Sequence, residues 1–204
     1  MMATTHALVG VLLGSVTLLI APESAPVAVF AGLFGGLFPD FDLYSGHRKT
    51  LHFPVYFSVA GAAALVIAIF VSTTWTVAVA VFLLSAAVHS VSDAFGGGLE
   101  LKPWLGESER AVYDHFRGRW IPPRRWIRYD GAPEDFALGF FVALPSLVLY
   151  DGTIQTLVIL FVLVSGVYAL LRKQMVVAAE WLVGRIPASM LGYVPDRFVR
   201  DFVQ

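Results

Sequence analysis

Residues 75–93 read Trp75-Thr-Val-Ala-Val-Ala-Val-Phe-Leu-Leu-Ser-Ala-Ala-Val-His89-Ser-Val-Ser-Asp93. No side chain from Trp75 to Val88 ionises, and the run is continuously apolar rather than alternating. It therefore reads as a helix close to the roughly 20 residues needed to cross a hydrocarbon core. The ionisable groups wait until its end. Positions i and i+4 of a helix share a face, so His89 and Asp93 point the same way. An imidazole and a carboxylate one turn apart can bind one ion, or the carboxylate can orient the imidazole. A polar pair closing a helix near water has the same spelling.

Five more apolar segments surround this one, at about 6–21, 26–38, 53–71, 136–150 and 153–171. The third and fourth of the six are long enough to span; the first, second and fifth are short, and tilt little, thin the bilayer or enter without crossing. Continuous apolar runs favour helices over a barrel. Of the 204 residues 57% are hydrophobic and only 14% charged, against about 25% charged in soluble domains. The expected fold is all-α: a polytopic helical membrane protein of one embedded domain, 1–204. Within it lie a metal-site half (1–105), a polar loop (94–135), a helical hairpin (136–171) and an interfacial tail (172–204). A net charge of −1 leaves no nucleic-acid footprint. The absence of cysteine excludes disulfides and thiolate chemistry, so any metal must be held by nitrogen and oxygen. The apolar stretch Ala7–Ile20 has no Lys or Arg before it, which favours a retained segment over a cleaved signal peptide.

Basic residues set the orientation. Arg48 and Lys49 lie between segments two and three, seven more between four and five, and the remaining five after segment six. The other connectors have none. The positive-inside rule puts both termini, both long loops and the candidate site in the cytoplasm of a multi-pass cell-membrane protein. The loop carries Trp104, Trp120 and Trp126 and is expected to lie over that face, partly as short helices. The tail sets Val177, Trp181, Leu182 and Ile186 against Glu180 and Arg185, as an interfacial helix does.

That topology gathers the metal-binding residue types at one membrane level. His6 opens segment one after Thr4 and Thr5. Pro39 ends segment two, and Asp40 and Asp42 follow in an extended or turn conformation, where alternate residues point the same way. Two close carboxylates need a positive partner, either a divalent ion or Arg48 and Lys49. His47 and His52 precede segment three; His89 and Asp93 close segment four. Ionisable groups at membrane depth are costly and usually functional. His6, Asp40, Asp42, His47, His52, His89 and Asp93 could fill one or two sites. Mixed imidazole and carboxylate ligands suit Zn²⁺, Mn²⁺ or Fe²⁺ and disfavour Cu(I), and paired ions serve phosphoester hydrolysis.

These residues resemble the membrane-bound metal-dependent hydrolase family. Its motifs match Thr5-His6-Ala7, Phe38-Pro39-Asp40-Phe41-Asp42, His47-Arg48-Lys49-Thr50-Leu51-His52 and His89-Ser90-Val91-Ser92-Asp93, in order, across about residues 1–105. The chain departs from the pattern at Leu43, at Leu51 and Phe53 beside His52, and at Phe95-Gly96-Gly97-Gly98. The family is distantly similar to zinc-dependent phospholipase C and P1-type nucleases. The resemblance implies a helical fold, a zinc site and phosphoester hydrolysis.

The expectation is thus a metallohydrolase at the cytoplasmic membrane face, acting on a small-molecule or lipid phosphoester. Asp42 is the candidate general base, with Asp93 and Arg48 in the catalytic set. Arg48 with Arg117, Arg119, Arg124 and Arg125 would neutralise phosphate oxygens. His115 is a candidate leaving-group acid or a plain loop histidine; Gly96–Gly98 allow close approach to a phosphate or form a flexible exit. A scaffold with a structural metal is the alternative. Transport is disfavoured, because segments three to six carry almost no ionisable interior residue.

Overall fold

A computed structural model describes residues 1–44 and 46–194 together with position 199. Among the described residues the main α-helices are, in order, α1 (Ala3–Ser15), α2 (Ala25–Leu37), α3 (Pro54–Phe70), α4 (Thr74–Ser92), α5 (Pro133–Leu149) and α6 (Gly152–Val183). The helix α2 sits at the centre. Its Val29 and Leu33 join Leu8 and Val11 of α1, Ala143 of α5 and Val158 of α6 in one buried cluster. Its Ala28 joins Ala68 of α3 and Ala80 and Val81 of α4 in a second.

Small residues bring these helices together. A Cβ at Gly10 would lie 1.9 Å from the Gly32 carbonyl oxygen, and one at Gly36 2.3 Å from that of His6. Only glycine lets the α1 and α2 backbones approach so closely, the usual device where lipid removes the hydrophobic drive between helices. The contact also fixes the level of His6 against the end of α2.

Among the described residues three helical stretches are long and apolar enough to cross a membrane: Pro22–Asp42, Thr74–Phe95 and Gly152–Val183. The third sequence segment, expected to span, does not reach that length. Pro54 starts α3 and the chain turns after Phe70, leaving 17 residues, about 25 Å of helix. The second does reach it, because 3₁₀ turns at Pro22–Ser24 and Phe38–Asp42 extend α2 at both ends. The helix α6 runs past Leu171 to Val183. The cations that mark a boundary in sequence are accommodated there. Arg172, only 6% exposed, bonds both Asp130 oxygens and the Leu101 carbonyl. Burial disfavours the Asp130 carboxylate, but the Arg172 charge and the Tyr168 hydroxyl overcome this and hold its pKa below the usual range. Tail positions 195–198 and 200–204, with Arg197 and Arg200, lie outside the described residues.

The loop 94–135 is partly short helical turns, as expected, and adds a strand pair. It holds 3₁₀ turns and one antiparallel hairpin, β1 (Val112–Asp114) with β2 (Arg119–Ile121). Tyr113 faces Trp120 in register, and Gly118 (φ +65°) serves the turn.

Asp135 ties the start of α5 to the start of α1. It is fully buried and accepts from Met2 N (2.7 Å), Thr5 Oγ1 (2.8 Å) and Gly131 N (3.0 Å). Asp135→Ala strands three buried donors at about 1–3 kcal/mol each if none recovers a partner. We expect a clear drop in the thermal midpoint of detergent-solubilised protein, measured by circular dichroism.

Candidate metal centre

Four chain segments meet at one end of the bundle. The last turn of α4 presents His89, and Asp93 follows at its C-cap. Both are buried, as is His6 from the first half of α1. The extension of α2 delivers Asp40 and Asp42. Pro39 stands at the second position of that 3₁₀ turn, within its first turn, where proline's fixed φ is tolerated. Because the stretch is 3₁₀ rather than extended, residues two apart diverge. Asp40 turns toward His89, and Asp42 turns toward His47 and His52.

The ligand atoms of Asp40, His52, His89 and Asp93 all lie within 4.8 Å of one another, so the group could hold a metal ion. His52 Nε2 is 3.8 Å from Asp40 Oδ1 and 3.2 Å from Asp93 Oδ2. His89 Nε2 is 3.5 Å from each of the same two oxygens. A tetrahedral ion with bonds of about 2.0–2.1 Å has ligand–ligand edges of about 3.3–3.4 Å, so these four spacings suit one small cation. Three of the residues are buried; the Asp40 side chain, 20% exposed, marks the open edge.

Both imidazoles are committed at their far nitrogens. His89 Nδ1–H donates to the Gly36 carbonyl at 2.6 Å, and His52 Nδ1–H donates to Asp42 Oδ2 at 3.0 Å. The acceptors fix the tautomers and turn both Nε2 lone pairs inward. Those Nε2 atoms are buried without a hydrogen-bond partner among the described residues. Orphaned buried nitrogens are costly, and a cation between them and the two carboxylates removes the penalty.

The other candidates surround this group. His6 stacks on His89, with centroids 3.7 Å apart, and its Nε2–H donates to Asp93 Oδ1 at 3.1 Å. The Met1 amino group donates to the same oxygen. Asp42 has both oxygens filled: Oδ1 by His47 Nδ1 and Arg48 N, Oδ2 by Leu51 N and His52 Nδ1. It is placed to orient His52 and does not itself join the four. Nor does His47, which meets the far side of Asp42. Arg48 does reach the centre, with Nε 3.3 Å from Asp93 Oδ2 and Nη1 donating to the Gly97 carbonyl at 2.8 Å.

Arg48 adopts φ +58°, a strained backbone for a residue other than glycine. The hairpin holds it there. Tyr113 N donates to the Arg48 carbonyl at 2.9 Å, and His115 Nε2–H to the Lys49 carbonyl at 2.6 Å. The Lys49 ammonium lies over the Tyr113 ring. His115 is thus engaged with the backbone rather than aimed at the four ligands. Gly97 is packed tightly, since a Cβ there would lie 2.5 Å from the Arg128 carbonyl oxygen. Arg117 is paired with Asp114 and Arg125 with Glu109. The part played by the Gly36 and Gly97 carbonyls was invisible in sequence, because backbone partners carry no residue code.

Partners that orient a metal-bound histidine are typically worth about 10- to 100-fold in affinity. Asp42→Ala should therefore weaken metal binding by about that factor without abolishing it, measured by competition with a chromogenic chelator.

No family model, curated protein or solved structure matches the chain. The hydrolase resemblance rests on the motifs alone, and the site is read from its own geometry.

Proposed function

We propose that this protein is a membrane-embedded, metal-dependent phosphoesterase whose site faces the cytoplasm. One observation carries the reading. Two buried imidazoles, each locked by an acceptor at Nδ1, aim unpartnered Nε2 atoms at the same two carboxylates. A divalent ion held there, zinc by the donor set or else manganese or iron, would supply activation of water near neutral pH. The chain's own residues supply the rest. Asp93 is held by His6 at one oxygen and faces Arg48, His52 and His89 at the other. Arg48 brings a fixed positive charge to the place where phosphate charge develops. Asp42 aligns His52; with both oxygens occupied, it is not the general base. Asp40 gives Oδ1 to the four-ligand group; its other oxygen, on the open edge, is the one placed to take a proton from water. The positive-inside rule supports a cytoplasmic position for this edge, next to lipid and soluble phosphoesters alike.

The test is hydrolysis of a chromogenic phosphoester by detergent-purified protein. Turnover should appear with Zn²⁺ or Mn²⁺, vanish on chelation and return on readdition. A structural metal is favoured by a single observation, that four protein ligands can close a tetrahedral shell. Retained metal without turnover on any phosphoester would decide for it.

A further inference from the structure

Three backbone hydrogen bonds tie residues 94–96 to the irregular stretch 124–127: Arg124 N to Ala94 O, Arg125 N to Gly96 O and Ile127 N to Phe95 O. The stretch bends at Arg125, where φ is +56°. Among the described residues only Arg125 and Arg48 adopt positive φ without being glycine. Such strain persists only where its surroundings impose it, and it clusters at functional sites. The bend at Arg48 serves the metal centre. The bend at Arg125 borders a separate cavity of about 290 Å³, walled by Trp104, Gly106, Arg125, Arg128, Tyr129 and Lys173.

Its charges are unevenly committed. Arg128 is gripped through Nε and Nη2 by Glu134. Every hydrogen bond from the Arg125 side chain leaves from Nη2, to the Gly106 and Ser108 carbonyls and to Glu109. Its Nε has no hydrogen-bond partner among the described residues. Glu109 is 72% exposed, so that ion pair is weak and exchangeable. Lys173 sits 5.4 Å from the Trp104 and Tyr129 rings and meets no carboxylate among the described residues. Gly106 (φ +71°) leaves room beside the guanidinium, since a Cβ there would find only Arg125 Nε, at 3.6 Å.

We infer that this cavity binds a phosphate-bearing anion, with Arg125 and Lys173 as the cations and Trp104 and Tyr129 as its walls. An arginine fork with a lysine point charge is the recurrent chemistry for phosphate. Lys173 follows the apolar part of α6, and exposed Val177 and Trp181 continue the helix beyond it. Lysine and tryptophan in that order mark headgroup depth. The anion is therefore a phospholipid headgroup or a free phosphate. The site uses none of the four metal ligands, and the inference stands or falls apart from the hydrolase reading.

The full chain in phosphatidylcholine nanodiscs is titrated with inorganic phosphate by calorimetry. In parallel, native mass spectrometry measures retention of phosphatidic acid against diacylglycerol, which lacks the phosphate. Lys173→Gln removes one cation. Arg125→Gly removes the other, relieves the bend and keeps the N–H bonded to Gly96. Circular dichroism checks that both variants fold. Phosphate-dependent binding should appear in at least one arm and weaken about tenfold or more in each variant, as loss of a charge-assisted hydrogen bond demands. Binding confined to the phosphatidic acid arm identifies a lipid headgroup; binding confined to the phosphate arm identifies a soluble anion. No binding in either arm, or unchanged affinity in either folded variant, overturns the inference.

Discussion

Detergent-purified wild-type protein is expected to retain a divalent ion through desalting, and His89→Ala to lose it. The variant removes one of four donors and also strands the Gly36 carbonyl that its Nδ1–H satisfied. Two carboxylates, Asp40 and Asp93, would remain near each other with one imidazole and Arg48 to balance them. The remaining set has lost one of its two neutral nitrogen donors, so it holds Zn²⁺ more weakly than the four-ligand group. Elemental analysis by plasma mass spectrometry should show metal near background in His89→Ala. His47→Ala should keep its metal, since that imidazole bonds the far side of Asp42. Equal metal content in wild type and His89→Ala would remove the metal centre from the account. A further consequence separates binding from general damage. Chelation should lower the thermal midpoint of wild type and leave that of His89→Ala unmoved, because only a chain that binds the ion is stabilised by it.

Much of this centre was legible in sequence, for a definite reason. His89 and Asp93 stand one helical turn apart, a spacing that survives folding unchanged. The Lys and Arg distribution predicts that His6, Asp40, His52 and His89 come to one level, and they do meet at one end of the bundle. What escaped depends on local backbone conformation. The Phe38–Asp42 stretch is spelled like a proline-terminated turn, and only its 3₁₀ path separates the roles of Asp40 and Asp42. The left-handed Arg48 has no spelling at all. Two further signals do stand in the sequence. Gly10 and Gly14, with Gly32 and Gly36, repeat the small-xxx-small spacing of close helix pairs. Val112-Tyr-Asp and Arg119-Trp-Ile flank Phe116-Arg-Gly118, a short hairpin pattern with a glycine turn. The three-residue strands are too brief to stand out by periodicity, and their importance comes from what they hold. Lengths are the weaker signal: α3 fills its apolar segment yet stops at 17 residues, and α6 runs on past Arg172, which Asp130 partners.

Arg48→Gly should separate stability from catalysis. The wild-type backbone at this position is strained, and glycine reaches φ +58° without that cost. Glycine also keeps the N–H that donates to Asp42 and the carbonyl that accepts from Tyr113. The loop should therefore hold its course and deliver His52 as before. What disappears is the guanidinium, 3.3 Å from Asp93 and bonded to Gly97. For the metal, loss of a neighbouring cation is favourable, since repulsion falls and Asp93 is freer to ligate. For the reaction the loss is severe. A preorganised donor aimed at developing oxyanion charge is typically worth about 10²- to 10³-fold in turnover. We expect Arg48→Gly to match or exceed wild type in metal content and thermal midpoint while phosphoester turnover falls by about that factor. Arg48→Lys should recover little, because an ammonium cannot span Asp93 and Gly97 as the fork does. If the glycine variant turns over like wild type, Arg48 serves the loop and not the chemistry. If it loses its metal as well, Arg48 acts by holding Asp93 in place. Turnover reduced with metal retained is the one result that puts this cation against the substrate.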